Sequence, residues 1–465
     1  MTAARKGTTG LSENAKKCLN RYVSETMQRA GIPGLSLTLT RGGNALFSRG
    51  FGYRDLESRK PATENTLYGV GSVTKSFTAL AILQLEEKGL LNLSDSVTDY
   101  AGSFKIDEHA SKTTISHLLS HSSGMPSLNV AEIILFKDIG TDTSFIPITG
   151  YEDFFNFLNE SSGERHSPPG NKFLYWNEGY TILGKIIEDL TKMTYAQYIE
   201  ENLLKPLGMK RSVFSRDKAL ADADHAIPYY RSEDGNYKPT EIPDGQMVLA
   251  PGGLLTSPVE LSRYLGLWIG GDHSDSAILS RKRLEEAIEP RITASITGAY
   301  GKTFYGYGWM KINDFFGKSL VMHSGSVAAS SGFVGFVPDL NIGVSIGSNC
   351  SDAPTTQIGM YALALLIEGA NPDELPFLKI KRLKERLKGD YEDYRGYSKV
   401  RVSDGQDGLL NISIESDENH MTLPVLFDGE EVYTMVNDFR MPLEVRFGPA
   451  GRTEIYFERH RFLKR

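Results

Sequence analysis

The sequence predicts an α/β domain, in which an antiparallel sheet is flanked by helices and carries an inserted helical lobe, followed by a small antiparallel β-barrel. Strand-like alternation occurs at both ends of the first 370 residues with helical patterns between them, and short, evenly spaced strands fill residues 391–465. Terminal strands that share one sheet, with helices between them, form a common layered architecture. Evenly spaced strands without helices are typical of a small barrel or sandwich. We therefore expect a first domain over 1–370, a helical linker over 371–390 and a barrel over 391–465.

The first elements of the sheet are predicted from the amino-terminal pattern. Residues 12–30 indicate a helix with Ser12 as its N-cap and Gly31 after its end. Leu35–Thr40 alternates with a period of two and is followed by a glycine-rich turn and the returning segment Ala45–Ser48. This pattern predicts a hairpin and thus an antiparallel start to the sheet.

The middle of the chain is predominantly helical in pattern. Ser72–Lys88 contains neither glycine nor proline, and its apolar residues have helical spacing, which predicts a mostly buried helix. A further helix is predicted over Thr181–Lys192, within a helical region of about 105–290. The pattern then returns to strands at Ser319–Met322, Gly332–Val337 and Ile342–Ser348, before a last helix over Thr355–Glu368.

A basic amphipathic segment, Lys379–Lys388, precedes the barrel. Six positive charges make it a candidate partner surface, but a solvated linker helix that packs through Leu383 and Leu387 accounts for the same pattern more simply.

Composition excludes several classes of function. The chain of 465 residues has 51 Lys+Arg and 58 Asp+Glu, for a net charge of −7, so we expect neither a nucleic-acid partner nor an anionic membrane. The 2 cysteines, Cys18 and Cys350, cannot form a disulfide framework or a thiolate zinc cluster. The longest apolar run, Met360–Ile367, is too short to cross a bilayer, and the first ten residues lack the apolar region of a secretory signal. These features predict a cytoplasmic protein.

The strongest local motif for chemistry is Ser72-Val-Thr-Lys75. On a helix, positions i and i+3 share a face, so the serine hydroxyl and the lysine amine can meet. A serine needs an adjacent base to act as a nucleophile, and a lysine becomes a base when burial lowers its pKa. Small and apolar neighbours favour such burial. By itself the motif is weak, since a capped helix start with a solvated lysine has the same letters.

The same stretch also comes close to a phosphate-binding loop. Gly69–Ser76 matches G-x-x-x-x-G-K-[ST] except at Thr74, where that loop requires glycine to turn closely around phosphates. The preceding residues are also a poor buried strand. A nucleotide site is therefore strongly disfavoured.

Two further segments carry polar groups suited to catalysis. Tyr175-Trp-Asn177 offers a phenol that can exchange a proton with an amine, and an amide that can both donate and accept hydrogen bonds. His323, Ser324 and Gly325 end an apolar strand, and the backbone N–H of Ser326 follows them. Taken alone, each segment is better explained by ordinary packing: an aromatic pair at a helix start that Asn177 caps, and a histidine at a strand end.

The three motifs together, in the order Ser-x-x-Lys, Tyr-x-Asn and His-x-Gly, resemble a known family. This is the class C β-lactamase-like serine hydrolases, which include penicillin-binding DD-peptidases, D-aminopeptidases and carboxylesterases. The resemblance covers most of residues 20–365 and includes Thr114–Gly124, Lys205–Met209, Gly252–Leu254 and Tyr305–Trp309. It implies a β-lactamase/transpeptidase-like fold for the first domain.

The resemblance implies catalytic roles for three side chains. Ser72 resembles the acylated nucleophile, and Lys75 and Tyr175 resemble its proton-transfer partners, with the identity of the base left open between them. The backbone N–H groups of Ser72 and Ser326 are expected to form the oxyanion hole.

Substrate binding is assigned by the same resemblance to Asn177, His323, Ser324 and Gly325. His323 stands where β-lactamases carry a lysine that attracts a substrate carboxylate. Because histidine carries less charge at neutral pH, we expect weaker, pH-dependent carboxylate binding and no efficient β-lactam hydrolysis. The strand that carries His323–Val327 is expected to be an exposed edge on which a peptide adds as a further strand.

These features predict a serine hydrolase that cleaves a peptide or small acyl substrate through an acyl-enzyme. A carboxylesterase of the same fold and a non-catalytic penicillin-binding or scaffold module remain as alternatives. No cofactor is expected. His117 and His121 lie at i and i+4, but they belong to a family segment used for packing, so no metal site is expected.

The carboxyl-terminal part resembles the lipocalin-like barrel that follows the catalytic domain in certain prokaryotic serine peptidases. Glu392–Tyr397 lies where such a barrel begins. A barrel of this size is usually filled by its own side chains. We expect it to have a structural, substrate-restricting or oligomer-forming role, with a homo-oligomer as a candidate assembly.

Overall fold

A computed structural model describes residues 10–138, 148–232, 234–270, 278–298, 301–416, 419–429, 431–449 and 452–465. The chain divides into two compact units, Met1–Gly369 and Ala370–Arg465. The first contains an antiparallel sheet with helices, and the second a closed antiparallel barrel. The predicted fold class is confirmed.

The helices of the described residues are α1 (Glu13–Ala30), α2 (Thr74–Glu87), α3 (Val97–Tyr100), α4 (Ile115–Leu119), α5 (Val130–Asp138), α6 (Tyr151–Glu160), α7 (Asn177–Thr191), α8 (Tyr195–Ile199), α9 (Arg216–Leu220), α10 (Gln246–Gly252), α11 (Pro258–Trp268), α12 (Arg281–Ala287), α13 (Thr355–Ala364) and α14 (Pro376–Leu387).

The strands of the first unit are β1 (Gly34–Arg41), β2 (Asn44–Asp55), β3 (Lys60–Pro61), β4 (Tyr68–Gly69), β5 (Tyr229–Arg231), β6 (Tyr237–Pro239), β7 (Leu255–Thr256), β8 (Ile292–Gly298), β9 (Gly301–Tyr305), β10 (Met310–Phe315), β11 (Lys318–Val327), β12 (Ser330–Val337) and β13 (Ile342–Ser348). Those of the second unit are β14 (Gly389–Glu392), β15 (Lys399–Asp404), β16 (Leu410–Ser416), β17 (Asn419–Asp428), β18 (Glu431–Val436), β19 (Phe439–Phe447), β20 (Thr453–Phe457) and β21 (His460–Lys464).

The main sheet joins the two ends of the first unit. Its nine strands have the order β3-β2-β1-β13-β12-β11-β10-β9-β8, so the predicted amino-terminal hairpin pairs with a strand from the far end of the unit. Leu35 lies opposite Ser348, and the register continues to Arg41 opposite Ile342. Helices α2 to α12 lie between β3 and β8 in the chain, where the inserted lobe was predicted, and of these α11 packs on β1 and β13 of the sheet.

Local sequence accounts for the helix ends. The Ser12 side chain accepts a hydrogen bond from the backbone N–H of Ala15 and thereby caps α1, and Gly31 ends the helix with a left-handed φ of 63°. Helix α2 is buried around its whole circumference from Thr74 to Leu85, and its apolar residues belong to the core of the unit. The residues at its start are therefore held by packing on every side.

The second unit is a closed eight-stranded barrel, β14 to β21 in chain order. Its interior is filled by its own aliphatic and aromatic side chains. Leu387 is buried in that core and Leu383 packs against it, which confirms the predicted packing stripe of the basic helix α14. The division of the chain after Gly369 places this helix in the same unit as the barrel.

Candidate active site

A short 3₁₀ turn, Gly71–Val73, places Ser72 directly before α2. Gly71 has a φ of +54°, and a Cβ atom on it would lie 2.5 Å from the backbone nitrogen of Ser326. Only glycine combines this conformation with so close an approach. The turn is thus fixed against strand β11, with Ser72 at their junction.

Lys75 lies in the first turn of α2, directly after this 3₁₀ turn, and makes three hydrogen bonds. Its Nζ is 3.0 Å from Ser72 Oγ, 2.7 Å from Asn177 Oδ1 and 2.9 Å from the carbonyl oxygen of Pro251. The predicted meeting of serine and lysine on one helix face is present in the structure. The Pro251 carbonyl, at the end of α10, is a partner that no sequence pattern indicated.

Burial changes the acidity of Lys75. The side chain is fully buried, and this desolvation lowers its pKa from 10.5 to about 7, against the opposing effect of the carboxylates of Glu132 and Glu178. A substantial fraction of Lys75 is therefore neutral at neutral pH, and a neutral amine can accept a proton.

The amide of Asn177 links Lys75 to a glutamate. Asn177 is the first residue of α7, and while its Oδ1 accepts from Lys75, its Nδ2 donates to Glu132 Oε1 over 2.6 Å. The next residue, Glu178, is fully buried and accepts a hydrogen bond from the backbone N–H of Val130, where α5 begins. Burial raises the pKa of Glu178 to about 7.

Tyr175 lies over the lysine. Nζ of Lys75 is 4.8 Å from the centroid of the phenol ring. Burial raises the pKa of Tyr175 well above its ordinary value, although a hydrogen bond with the Ser72 side chain acts in the opposite direction. The phenol is therefore protonated at neutral pH and can serve as a proton donor.

Strand β11 contributes backbone to the site. A Cβ atom on Gly325 would lie 2.1 Å from the carbonyl oxygen of Val70 and 2.4 Å from the backbone nitrogen of Ser72. This contact brings the backbone of residues 325 and 326 next to that of Ser72. The two N–H groups expected to bind an oxyanion, those of Ser72 and Ser326, belong to these adjoining segments.

His323 and Ser324 point away from each other along this strand: His323 is 2% exposed, whereas Ser324 is exposed. His323 Nδ1 lies 2.6 Å from the carbonyl oxygen of Ser324, and its Nε2 lies 2.9 Å from the hydroxyl of Tyr305. Since a carbonyl only accepts, Nδ1 carries the proton and Nε2 accepts from the tyrosine. Burial lowers the pKa of His323 to about 3, so the ring is neutral near pH 7. Its assignment to substrate binding stays a prediction, but these contacts give it no charge with which to attract a carboxylate.

The expectation that β11 is an edge strand is wrong for the strand as a whole. It lies between β10 and β12. However, its pairing with β10 runs only from Lys318 to Met322, whereas its pairing with β12 continues to Val327. The alternation of residues in the sequence identified the strand. Only the structure shows that its second half, from His323 to Val327, extends beyond the part that pairs with β10.

A cavity of about 230 Å³ opens at these groups. Its polar lining comes from Ser72, Glu132, Asn177 and Ser326, and the rest is mainly apolar. Ser72, Lys75 and Asn177 were found by motif, whereas Glu132 and Glu178 were not, because neither belongs to a recognisable spacing pattern. Only the fold brings α5 to α7.

Among the described residues, no three or more His, Cys, Asp or Glu side chains cluster as a metal ion would require; His273 lies outside those residues. None of the described helices has the length and apolar character to cross a membrane. The predicted lack of a secretory signal concerns residues 1–9, which lie outside the described part of the chain.

Comparison with known proteins places this arrangement in a family. The Beta-lactamase family model matches residues 19–367, and the chain belongs to that family. The model of the Pab87 octamerisation domain matches residues 372–463.

Individual relatives agree with this classification. The chain is 35% identical to the octameric penicillin-binding protein homologue from Pyrococcus abyssi, with a TM-score of 0.86 over 97% of this chain and 100% of that one. It is 30% identical to Protein flp of Staphylococcus aureus (strain MW2) over 73% of this chain and 64% of that protein. It is 27% identical to Penicillin-binding protein 4* of Bacillus subtilis (strain 168) over 68% of this chain and 67% of that protein. The chain thus matches less than two thirds of the length of Protein flp.

Proposed function

We propose that this protein is a serine hydrolase that cleaves peptide or amide bonds by acyl transfer to Ser72. The observation that carries the proposal is the set of contacts around Lys75 Nζ. A neutral amine has two N–H bonds and one lone pair. Asn177 Oδ1 and the Pro251 carbonyl can only accept, so they use both N–H bonds. The lone pair is then left for the hydroxyl proton of Ser72.

Acylation follows from this arrangement. Lys75 takes the proton of Ser72 as Oγ attacks the substrate carbonyl carbon. The negative charge that develops on the carbonyl oxygen is bound by the N–H groups of Ser72 and Ser326; one such donor contributes about 10²–10³-fold in kcat in other enzymes.

Collapse of the intermediate requires a proton for the leaving nitrogen. The Tyr175 hydroxyl supplies it, and the proton held by Lys75 restores the phenol. Water then attacks the acyl-enzyme by the same route in reverse and releases the acid and Ser72. In this scheme Lys75 is the base and Tyr175 the proton relay.

Covalent labelling tests the nucleophile. We expect a fluorophosphonate or fluorescent penicillin probe to label the wild type and not the Ser72→Ala variant, while Ser162→Ala, at an exposed position, is labelled as the wild type is. Labelling that persists in Ser72→Ala, or its absence from the wild type with both probes, would contradict the proposal and favour a non-catalytic module.

Substrate class is tested by comparing p-nitrophenyl esters with D- and L-aminoacyl anilides. A peptidase is favoured because the Asn177 amide, and the half of β11 that extends beyond its pairing with β10, can bind an amide backbone. Turnover of esters without turnover of any anilide would instead identify a carboxylesterase of the same fold.

We further propose that the second unit joins copies of this chain into a homo-oligomer. The match to an octamerisation domain and the octameric relative support this. The unit also exposes large aromatic side chains, namely Tyr394 (84%), Tyr397 (67%) and Phe439 (71%), a residue type that is enriched at interfaces between subunits. Light scattering after size exclusion should give a mass several times that of one chain. Phe439→Ser combined with Tyr394→Ser should lower it, and a wild-type monomer would contradict the proposal.

A further inference from the structure

We propose that Glu132 binds a protonated amino group on the acyl part of the substrate, so that the preferred substrates are aminoacyl compounds with a free α-amino group. This inference rests on the proposed acyl transfer at Ser72 and names the substrate class of the same site. It is carried by the position of the carboxylate, by its hydrogen bonds and by the charges around it.

The position of Glu132 is fixed from two sides. It lies in the first turn of α5, whose start is bound to Glu178 through the backbone N–H of Val130. Glu132 and Ser72 both line the cavity of about 230 Å³. An acyl group on Ser72 that enters this cavity therefore faces the carboxylate.

The hydrogen bonds of Glu132 use only half of its carboxylate. Oε1 accepts from Asn177 Nδ2 over 2.6 Å, whereas Oε2 is buried and has no hydrogen-bond partner among the described residues. A buried polar atom without a partner costs about 1–3 kcal/mol, and more when it belongs to a charged group. Glu132 Oε2, which lacks a partner and belongs to a residue that lines the same cavity as Ser72, is suited to accept a hydrogen bond from a substrate.

The charges at the site favour a cationic donor. Lys75 is the basic side chain near Glu132, but its three hydrogen bonds go to Ser72, Asn177 and Pro251 and none goes to Glu132. The remaining lining includes the apolar Leu135 and Val248. A hydrogen bond between an ammonium group and a carboxylate is about twice as strong as one between two neutral groups. An ammonium ion with one carboxylate oxygen to bind fits, whereas a metal ion would need more ligands.

Because Glu132 also holds Asn177, the test must separate binding from positioning. Glu132→Gln removes the negative charge but keeps an oxygen to accept from Asn177 Nδ2. The ligands are D- and L-alaninamide and the N-acetyl derivative of each. Acetylation converts the amino group into an uncharged amide and leaves the rest of the ligand unchanged. Affinity is measured by calorimetry on the Ser72→Ala protein, so the readout does not depend on turnover.

We expect the free-amine ligand of at least one hand to bind 10-fold or more tighter than its N-acetyl derivative, and Glu132→Gln to reduce that ratio to near 1. Glu152→Gln, which removes a carboxylate at an exposed position, should keep the ratio. Equal loss of affinity for both ligands in Glu132→Gln, or no preference for the free amine in the Ser72→Ala protein, would overturn the inference. Failure of probe labelling with the preference intact would instead overturn acyl transfer at Ser72.

Discussion

The imidazole Nδ1 of His121 accepts a hydrogen bond from the backbone N–H of Trp176 over 3.0 Å. The carbonyl oxygen of His121 also accepts from the backbone N–H of Leu174 over 2.8 Å, so His121 holds the chain on both sides of Tyr175. Its ring lies 4.1 Å from that of Tyr175. Desolvation, with lesser contributions from Lys75 and His323, holds the pKa of His121 well below its usual range, so the ring is a constant neutral acceptor. His121 is thus a positioning residue for Tyr175.

Substitution of His121 should therefore lower the turnover rate indirectly, through the position of Tyr175. His121→Ala leaves the Trp176 N–H without its acceptor, and we expect kcat for p-nitrophenyl acetate to fall about 10–100-fold, since displacement of a catalytic group by about 1 Å can cost 10²-fold. His121→Asn should recover most of the loss, because its Oδ1 occupies the place of Nδ1 and asparagine tolerates the φ of 55° found here. Equal losses in both variants at unchanged thermal stability would contradict this role.

The rate should increase with pH through the titration of Lys75. Burial lowers the pKa of Lys75 to about 7, and only the neutral amine can take the proton of Ser72, so kcat/KM for p-nitrophenyl acetate should rise with a midpoint near pH 7. The Glu178 carboxylate raises the pKa of Lys75. Glu178→Gln should accordingly move the midpoint to lower pH. A midpoint above pH 9, or an upward shift in Glu178→Gln, would show that Lys75 is not the base.

The meeting of Ser72 and Lys75 could be predicted from sequence because their spacing is local, whereas Tyr175 was assigned through the family resemblance. Ser72 and Lys75 share a helix face by their separation of three, and the strands show an alternation that requires no partner. Glu132 and His121 could not be assigned roles, because each acts across the fold on a residue more than 40 positions away. The neutral state of His323 was missed for a similar reason. Its burial and its bond to Tyr305 arise from sheet packing, which a strand-end pattern does not reveal.

Strand β11 should tolerate no side chain at position 325. A Cβ there would lie 2.1 Å from the Val70 carbonyl oxygen and 2.4 Å from the Ser72 backbone nitrogen, both backbone atoms that cannot move independently. We expect Gly325→Ala to abolish labelling by a fluorophosphonate and to lower the melting temperature. Gly163→Ala is the matched control, since no described atom lies within 4 Å of its Cβ position, and it should leave both unchanged. Wild-type labelling in Gly325→Ala would show that β11 need not contact the turn that carries Ser72.

The buried carboxyl of Glu178 should make the first unit less stable as the pH rises. Burial raises its pKa from 4.5 in the unfolded chain to about 7 in the folded one. Between these values the folded state binds more protons than the unfolded state, so the free energy of unfolding falls as the pH increases from about 4.5 to 7. At about 1.4 kcal/mol for each pKa unit, the loss is roughly 3 kcal/mol.

Glu178→Gln should remove this decline, because glutamine keeps the acceptor for the Val130 N–H and does not titrate. Urea unfolding of wild type and variant at pH 4.5, 6 and 8 measures the difference in the free energy of unfolding. We expect the free energy of unfolding of the variant to rise relative to that of the wild type from pH 4.5 to 8. The control is Glu152→Gln, which removes an exposed carboxylate and shows whether loss of a negative charge in general contributes. Lys75 affects stability in a different pH range. Its pKa is lowered from 10.5 to about 7, so its contribution makes the free energy of unfolding increase with pH only between about pH 7 and 10.5. A wild type and a Glu178→Gln variant that change in parallel from pH 4.5 to 8 would show that Glu178 is ionised throughout this range.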